Sequence, residues 1–237
     1  MKKIKKIKYG DFIYEGEVDL IHPDFEDKDE NYTPNGIGIW TDTNGLKFKV
    51  DCDWAEIKDG YGEIYYPNGG VYRGNLVDFK KNGKGVLEKP NHEKYSGEFY
   101  HDKYNGNGTL ERENGDIYEG GFKNNNPHGF GKMKSKDGFE YIGEFKEGFM
   151  SGKGEYIDNR EKNYSEKYKG EFEDNLFHGI GKLKCIYLDD SFDSIIFEGE
   201  FKNGRQNGYG KETNIKTKEV KQGFWEEGTF KKNITNN

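Results

Sequence analysis

One short sentence of sequence is written again and again along this chain. An aromatic-x-Gly triplet stands at Tyr14/Gly16, Tyr72/Gly74, Tyr95/Gly97, Tyr118/Gly120, Tyr141/Gly143, Tyr168/Gly170 and Phe197/Gly199. Gly-x-Gly starts at Gly36, Gly60, Gly83, Gly106, Gly129, Gly152, Gly179 and Gly208, and from Tyr72 onward it begins 11 residues after the aromatic every time. The central units are spaced by 23 residues. A unit that short cannot bury a face alone, so the chain must stack neighbouring copies against each other.

Within a unit the apolar period is two, which is the code of a strand and not of a helix. Tyr95, Gly97 and Phe99 share one face and Ser96 and Glu98 the other; in the following segment Gly106, Gly108 and Leu110 share a face. Each unit therefore reads as a hairpin, with "PNGG" (67–70), "ENGD" (113–116) and "KDGF" (136–139) supplying the Asn-Gly and Asp-Gly pairs that tight turns favour. Stacking aligns three columns as the core: Tyr72, Tyr95, Tyr118, Tyr141, Tyr168 and Phe197; Leu76, Phe99, Phe122, Phe145, Phe172 and Phe201; and Ile64, Leu87, Leu110, Met133, Tyr156 and Leu183. The paired glycines Gly83 and Gly85, Gly106 and Gly108, Gly129 and Gly131, and Gly152 and Gly154 let the sheet bend and leave room for a ring. The expected fold is all-β: an elongated, curved, single-layer antiparallel meander of stacked hairpins with an aromatic-lined groove.

Composition narrows the function. Of 237 residues only 31% are hydrophobic and 34% are charged, too lean for a thick core, while 16% aromatics and 34 glycines set the chain apart from a disordered one. A net charge of −7 argues against a nucleic-acid groove, which needs a basic face. Cys52 and Cys185 lie in different units and resemble neither a disulfide framework nor a paired-thiol metal site, so a reducing, cytoplasmic setting is expected. The sequence has no apolar run of the roughly 18 residues that a spanning helix requires. "MKKIKKIK" is read as a solvated arm or capping strand ahead of a membrane tether, because it is short and leads an acidic body.

Tyrosine-x-glycine-x-aromatic followed by glycine-x-glycine resembles the MORN (membrane occupation and recognition nexus) repeat. The likeness runs from Tyr14 to Gly210 in about eight units, with a remnant at "QGFWEEGTF" (222–230). The array is expected over 12–230, between a basic arm at 1–11 and a tail at 231–237. A degenerate second unit at 46–64 has Val50 where glycine belongs, and an acidic insert occupies Ile21 to Asn35. Two later units lengthen after Gly-x-Gly, at 158–167 and 185–195.

No residue set points to catalysis. The Gly-x-Gly pairs open no helix, as a phosphate loop would. His128 and His178 recur in one slot before Gly-x-Gly, which repetition explains without a metal. Glu98, Glu144, Glu171 and Glu200 form a ladder along a solvated face, not a pair across a pocket. The expectation is a non-enzyme with no cofactor and no nucleic-acid partner. The resemblance implies a scaffold or adaptor, cytoskeletal or membrane-linked in some relatives, that takes an extended or helical protein segment along the groove. The residues expected to line it are Tyr95, Phe99, Tyr118, Phe122, Tyr141, Phe145, Tyr168 and Phe172. Association with anionic membranes, service to an enzyme on another chain, and self-association through open strand edges are the alternatives.

Overall fold

The computed structural model describes residues 3–20, 31–189 and 192–233. Residues 21–30, most of the acidic insert, lie outside the described residues, as do 234–237 of the tail. The chain divides into two units, Met1–Glu113 and Asn114–Asn237, and among the described residues neither contains an α-helix.

The first unit holds β1 (Lys3–Tyr9), β2 (Phe12–Leu20), β3 (Tyr32–Asp42), β4 (Lys47–Asp53), β5 (Glu56–Ile57), β6 (Gly60–Tyr65), β7 (Val71–Val77), β8 (Lys80–Glu88), β9 (Lys94–Tyr100) and β10 (Lys103–Glu111). The second holds β11 (Ile117–Lys123), β12 (Asn126–Lys134), β13 (Phe139–Lys146), β14 (Phe149–Asp158), β15 (Tyr164–Glu173), β16 (Leu176–Tyr187), β17 (Ile195–Lys202), β18 (Arg205–Asn214), β19 (Val220–Glu226) and β20 (Thr229–Asn233). In each unit consecutive strands pair antiparallel, with β4 meeting both the short β5 and β6. Each unit is thus an open meander of hairpins, as the period-two pattern requires. The basic N-terminal segment is the capping strand of the first unit, paired with β2 from Lys3↔Val18 to Tyr9↔Phe12.

Register places the glycines opposite one another. Gly97 faces Gly108, Gly120 faces Gly131, Gly143 faces Gly154 and Gly170 faces Gly181. Just beyond each pair the ladder slips, as between Gly143 and Glu144 or Gly170 and Glu171, so every hairpin carries a β-bulge at Gly-x-Gly. The first glycine of the pair bends the strand with a left-handed backbone, at φ of 66° for Gly106, 76° for Gly129 and 61° for Gly152.

The tight turns fall elsewhere than the Asn-Gly dipeptides suggest. "KDGF" and "PNGG" join units through longer loops in which Tyr66 and Gly70, or Ser135 and Phe139, close the hydrogen bonds. The two-residue turns lie inside each unit, where both residues have positive φ: Asp78-Phe79, His101-Asp102, Asn124-Asn125, Glu147-Gly148, Asp174-Asn175 and Asn203-Gly204. A positive pair is what a type I′ hairpin turn demands, because its twist matches that of the strands.

Where glycine gives way to Val50, the side chain fills the space directly. Val50 is buried, and a methyl group added to the neighbouring Gly62 would come within 2.9 Å of its Cγ1. The second repeat therefore packs aliphatic bulk where the others lay a ring.

Candidate interaction surface

The two faces of the sheet have opposite tasks. On one face the tyrosine of each repeat lies down over its own glycine pair: a methyl group at Gly108 would sit 2.5 Å from the Tyr95 hydroxyl, and one at Gly154 2.5 Å from Tyr141 Cε2. The hydroxyl then donates to the carbonyl three residues ahead, Tyr95 to Glu98, Tyr118 to Gly121 and Tyr141 to Glu144 at 2.9 Å, and Tyr168 to Glu171 at 3.0 Å. That carbonyl sits at the bulge, where the ladder cannot serve it.

Neighbouring rings complete the cover. Tyr141 meets Phe145 of its own repeat and Phe172 of the next edge to face, both at 5.0 Å, and Tyr168 repeats this with Phe172 and Phe201 at 5.1 Å. A further column sits nine residues after the tyrosine and lies on its exposed side: Tyr104 stacks on Tyr95 at 3.8 Å and Phe177 on Tyr168 at 3.9 Å. That position holds Lys81, Tyr104, Pro127, Met150, Phe177 and Gln206 in successive repeats. In the first unit Lys81 closes the site by donating to the Tyr66 hydroxyl at 2.8 Å, with Asp102 at 3.4 Å. Burial pushes the tyrosine hydroxyls up throughout, Tyr118 to about 12.

The eight rings expected to line a groove are accordingly interior. Tyr95 and Tyr141 are fully buried, and Tyr118, Tyr168, Phe99, Phe122, Phe145 and Phe172 are at most 4% exposed. They build the layer on which a partner would rest and offer it almost no surface. The columns named as core hold as such, with Leu87, Met133 and Tyr156 of the third only half-buried.

The opposite face is the open one. The middle residue of every Gly-x-Gly projects there, and in the second unit these are Phe130, Lys153, Ile180 and Tyr209. Phe130 is 68% exposed, Ile180 61% and Ile142, on the intervening strand, 40%. These three bound one opening of about 620 Å³ whose floor is Gly154 and Gly170 and whose polar members include Lys153 and Glu155. The first unit presents Ile37 and Tyr61 on the same kind of face, followed by the polar Lys84 and Asn107.

The glutamate ladder proves to be structural as well as solvated. Glu98 Oε1 accepts the Asn107 N–H at 3.1 Å, Glu144 Oε1 the Lys153 N–H at 3.1 Å and Glu200 Oε1 the Tyr209 N–H at 2.9 Å. Each carboxylate serves the amide that the bulge takes out of the ladder. In the repeat beginning at Tyr118 the glutamate is replaced by Gly121, so no carboxylate stands beside Phe130 at that place. His178 Nδ1 lies 3.1 Å from Glu173, and the His178 carbonyl accepts from Tyr168 at 3.1 Å. Among the described residues no group of three or more His, Cys, Asp or Glu is placed to hold a metal. Cys52 and Cys185 are buried and reduced, each beside an aromatic donor: Trp40 Nε1 at 3.2 Å and the Tyr164 hydroxyl at 3.3 Å.

Comparison with curated proteins gave no match. Comparison with family models matched the MORN repeat seven times, at residues 53–71, 72–94, 95–117, 118–139, 141–159, 168–186 and 197–214.

Proposed function

Because the chain belongs to the MORN-repeat family, whose repeats are commonly involved in protein or membrane interactions, we propose that it is a non-enzymatic scaffold or adaptor that receives a segment of a partner protein on its open sheet face. The observation that carries this reading is the grouping of Phe130, Ile142 and Ile180 around one opening, each at least 40% exposed. Large apolar side chains that gather on a sheet face, while the chain has already buried its rings elsewhere, are surface kept for a partner. Binding at this face costs the fold little, because the ring layer beneath is complete without it.

A membrane role draws less support. The lysines of β1 are engaged within the first unit: Lys3 donates to the Tyr32 hydroxyl at 2.7 Å, Lys5 lies 4.0 Å from the Tyr32 ring centre, and Lys6 is 3.5 Å from Glu15.

The test is affinity capture from the source cells with the wild type and with Phe130→Ser/Ile180→Ser. The reading expects at least one protein retained by the wild type and lost with the double variant. Capture of no protein by the wild type, or equal capture by both, counts against it.

A further inference from the structure

The open face is uneven in charge as well as in shape, and the imbalance centres on one residue. Lys153 stands on β14 between Phe130 on β12 and Ile180 on β16, two strands from each. Strands lie about 4.8 Å apart, so each apolar anchor is on the order of 10 Å from the lysine along the sheet.

The carboxylates facing the opening are already committed. Glu144 holds the Lys153 amide, Glu155 pairs with Lys169, Glu198 pairs with Lys182 at 2.8 Å, and the Glu171 carboxylate lies against Gly179 under the next bulge. Among the described residues the Lys153 ammonium forms no ion pair within 4 Å. In the adjoining repeat Gly121 removes the carboxylate that would otherwise flank Phe130. The result is a cation between two apolar anchors, with every nearby anion turned to another task.

We propose that this opening selects an apolar segment of another protein that carries an Asp or Glu between two large apolar side chains, the carboxylate pairing with Lys153 and the side chains covering Phe130 and Ile180. The proposal rests on the scaffold reading and sharpens it to a partner chemistry. An ammonium at the floor of an apolar opening loses water when a segment covers it, so an occupant without a carboxylate leaves a buried, unpaired charge. A basic segment meets Lys153 as a like charge. Specificity therefore comes from exclusion as much as from attraction.

A display library of random 12-residue peptides, selected on the immobilised full chain, tests this directly. The wild type is expected to enrich peptides in which an acidic residue lies between two large apolar ones. For such a peptide, Lys153→Glu is expected to weaken binding by about tenfold or more, and selection on that variant to enrich basic residues at the same place. Phe130→Ser/Ile180→Ser should abolish the selected binding while the thermal transition stays where it is in the wild type. Peptides that need Phe130 and Ile180 but tolerate Lys153→Glu overturn the charge selection and leave the scaffold reading standing. Peptides indifferent to all three changes overturn the site. A wild type that selects no peptide but co-floats with phosphatidylserine vesicles, and loses this with Lys153→Glu, overturns both the proposal and the scaffold reading.

Discussion

The Tyr141 hydroxyl donates to the Glu144 carbonyl at 2.9 Å while its ring covers Gly154, so one side chain both roofs the glycine pair and satisfies the carbonyl the bulge leaves behind. The two functions can be separated. Tyr141→Phe keeps the ring and its contacts with Phe145 and Phe172 but strands the carbonyl, at a cost of about 1–2 kcal/mol in denaturant unfolding. The repeat at Phe197 already lives without the hydroxyl. Gly154→Ala, by contrast, drives a methyl group to 2.5 Å from the ring and should cost about 1–3 kcal/mol or more through overpacking. A Tyr141→Phe protein as unstable as Gly154→Ala would show that the hydroxyl, not the ring, dominates.

Alkaline pH should unfold the protein cooperatively. Burial raises the hydroxyls of Tyr14, Tyr72, Tyr95, Tyr118, Tyr141 and Tyr168 above the ordinary value of 10, Tyr118 to about 12. A group whose pKa is higher in the folded state keeps its stabilising effect below the unfolded pKa. It loses it as pH rises through the folded one, at up to about 1.4 kcal/mol per pH unit for each group. Stability measured by denaturant titration should therefore be flat in this respect below about pH 10 and fall steeply above it. Tyrosinate absorbance should rise together with the loss of structure. Absorbance that rises by pH 11 in a still-folded protein contradicts the burial of these hydroxyls.

The central turns offer room for improvement. Glu147 has φ of 52° ahead of Gly148 at 94°, a positive pair in which glutamate is a poor first member. Glu147→Asn creates the Asn-Gly turn already present at Asn203-Gly204 and should stabilise by about 0.5–1 kcal/mol, read as a higher denaturation midpoint at unchanged slope. The same change at Asp78-Phe79 is expected to destabilise instead, because the Phe79 ring packs on Phe48 at 4.9 Å and on Phe12 at 6.3 Å.

What the sequence revealed and concealed follows from this geometry. The strand period, the glycine pairs and the columns through Tyr141 and Phe145 were legible because identical residues return at fixed spacing. The covering position was not: Lys81, Tyr104, Pro127, Met150 and Phe177 share a place over the tyrosine but no chemistry. That hidden cover explains why a face that looked like an aromatic groove is closed. The turns misled for a related reason. Positive φ at Phe79 or His101 is enforced by strand pairing on both sides, without the glycine that would announce it. The open face could have been suspected from Phe130, Ile180 and Tyr209, large residues between glycines on the parity opposite the rings.

Two pairs of substitutions separate that open face from the core. Phe130 and Ile180 are 68% and 61% exposed, so Phe130→Ser/Ile180→Ser removes apolar area that is already largely in water and should change stability by less than about 1 kcal/mol. Phe122 and Phe145 are 4% and 3% exposed, and each meets Tyr118 edge to face at 5.0 Å. Phe145→Ser leaves a ring-sized void beneath two tyrosines, Tyr118 and Tyr141, and places a hydroxyl in it, at a cost of about 3–5 kcal/mol. Equilibrium unfolding of both variants decides the assignment of faces. If the Phe130/Ile180 change proves as damaging as Phe145→Ser, those side chains are part of the fold and the open face is not a binding surface.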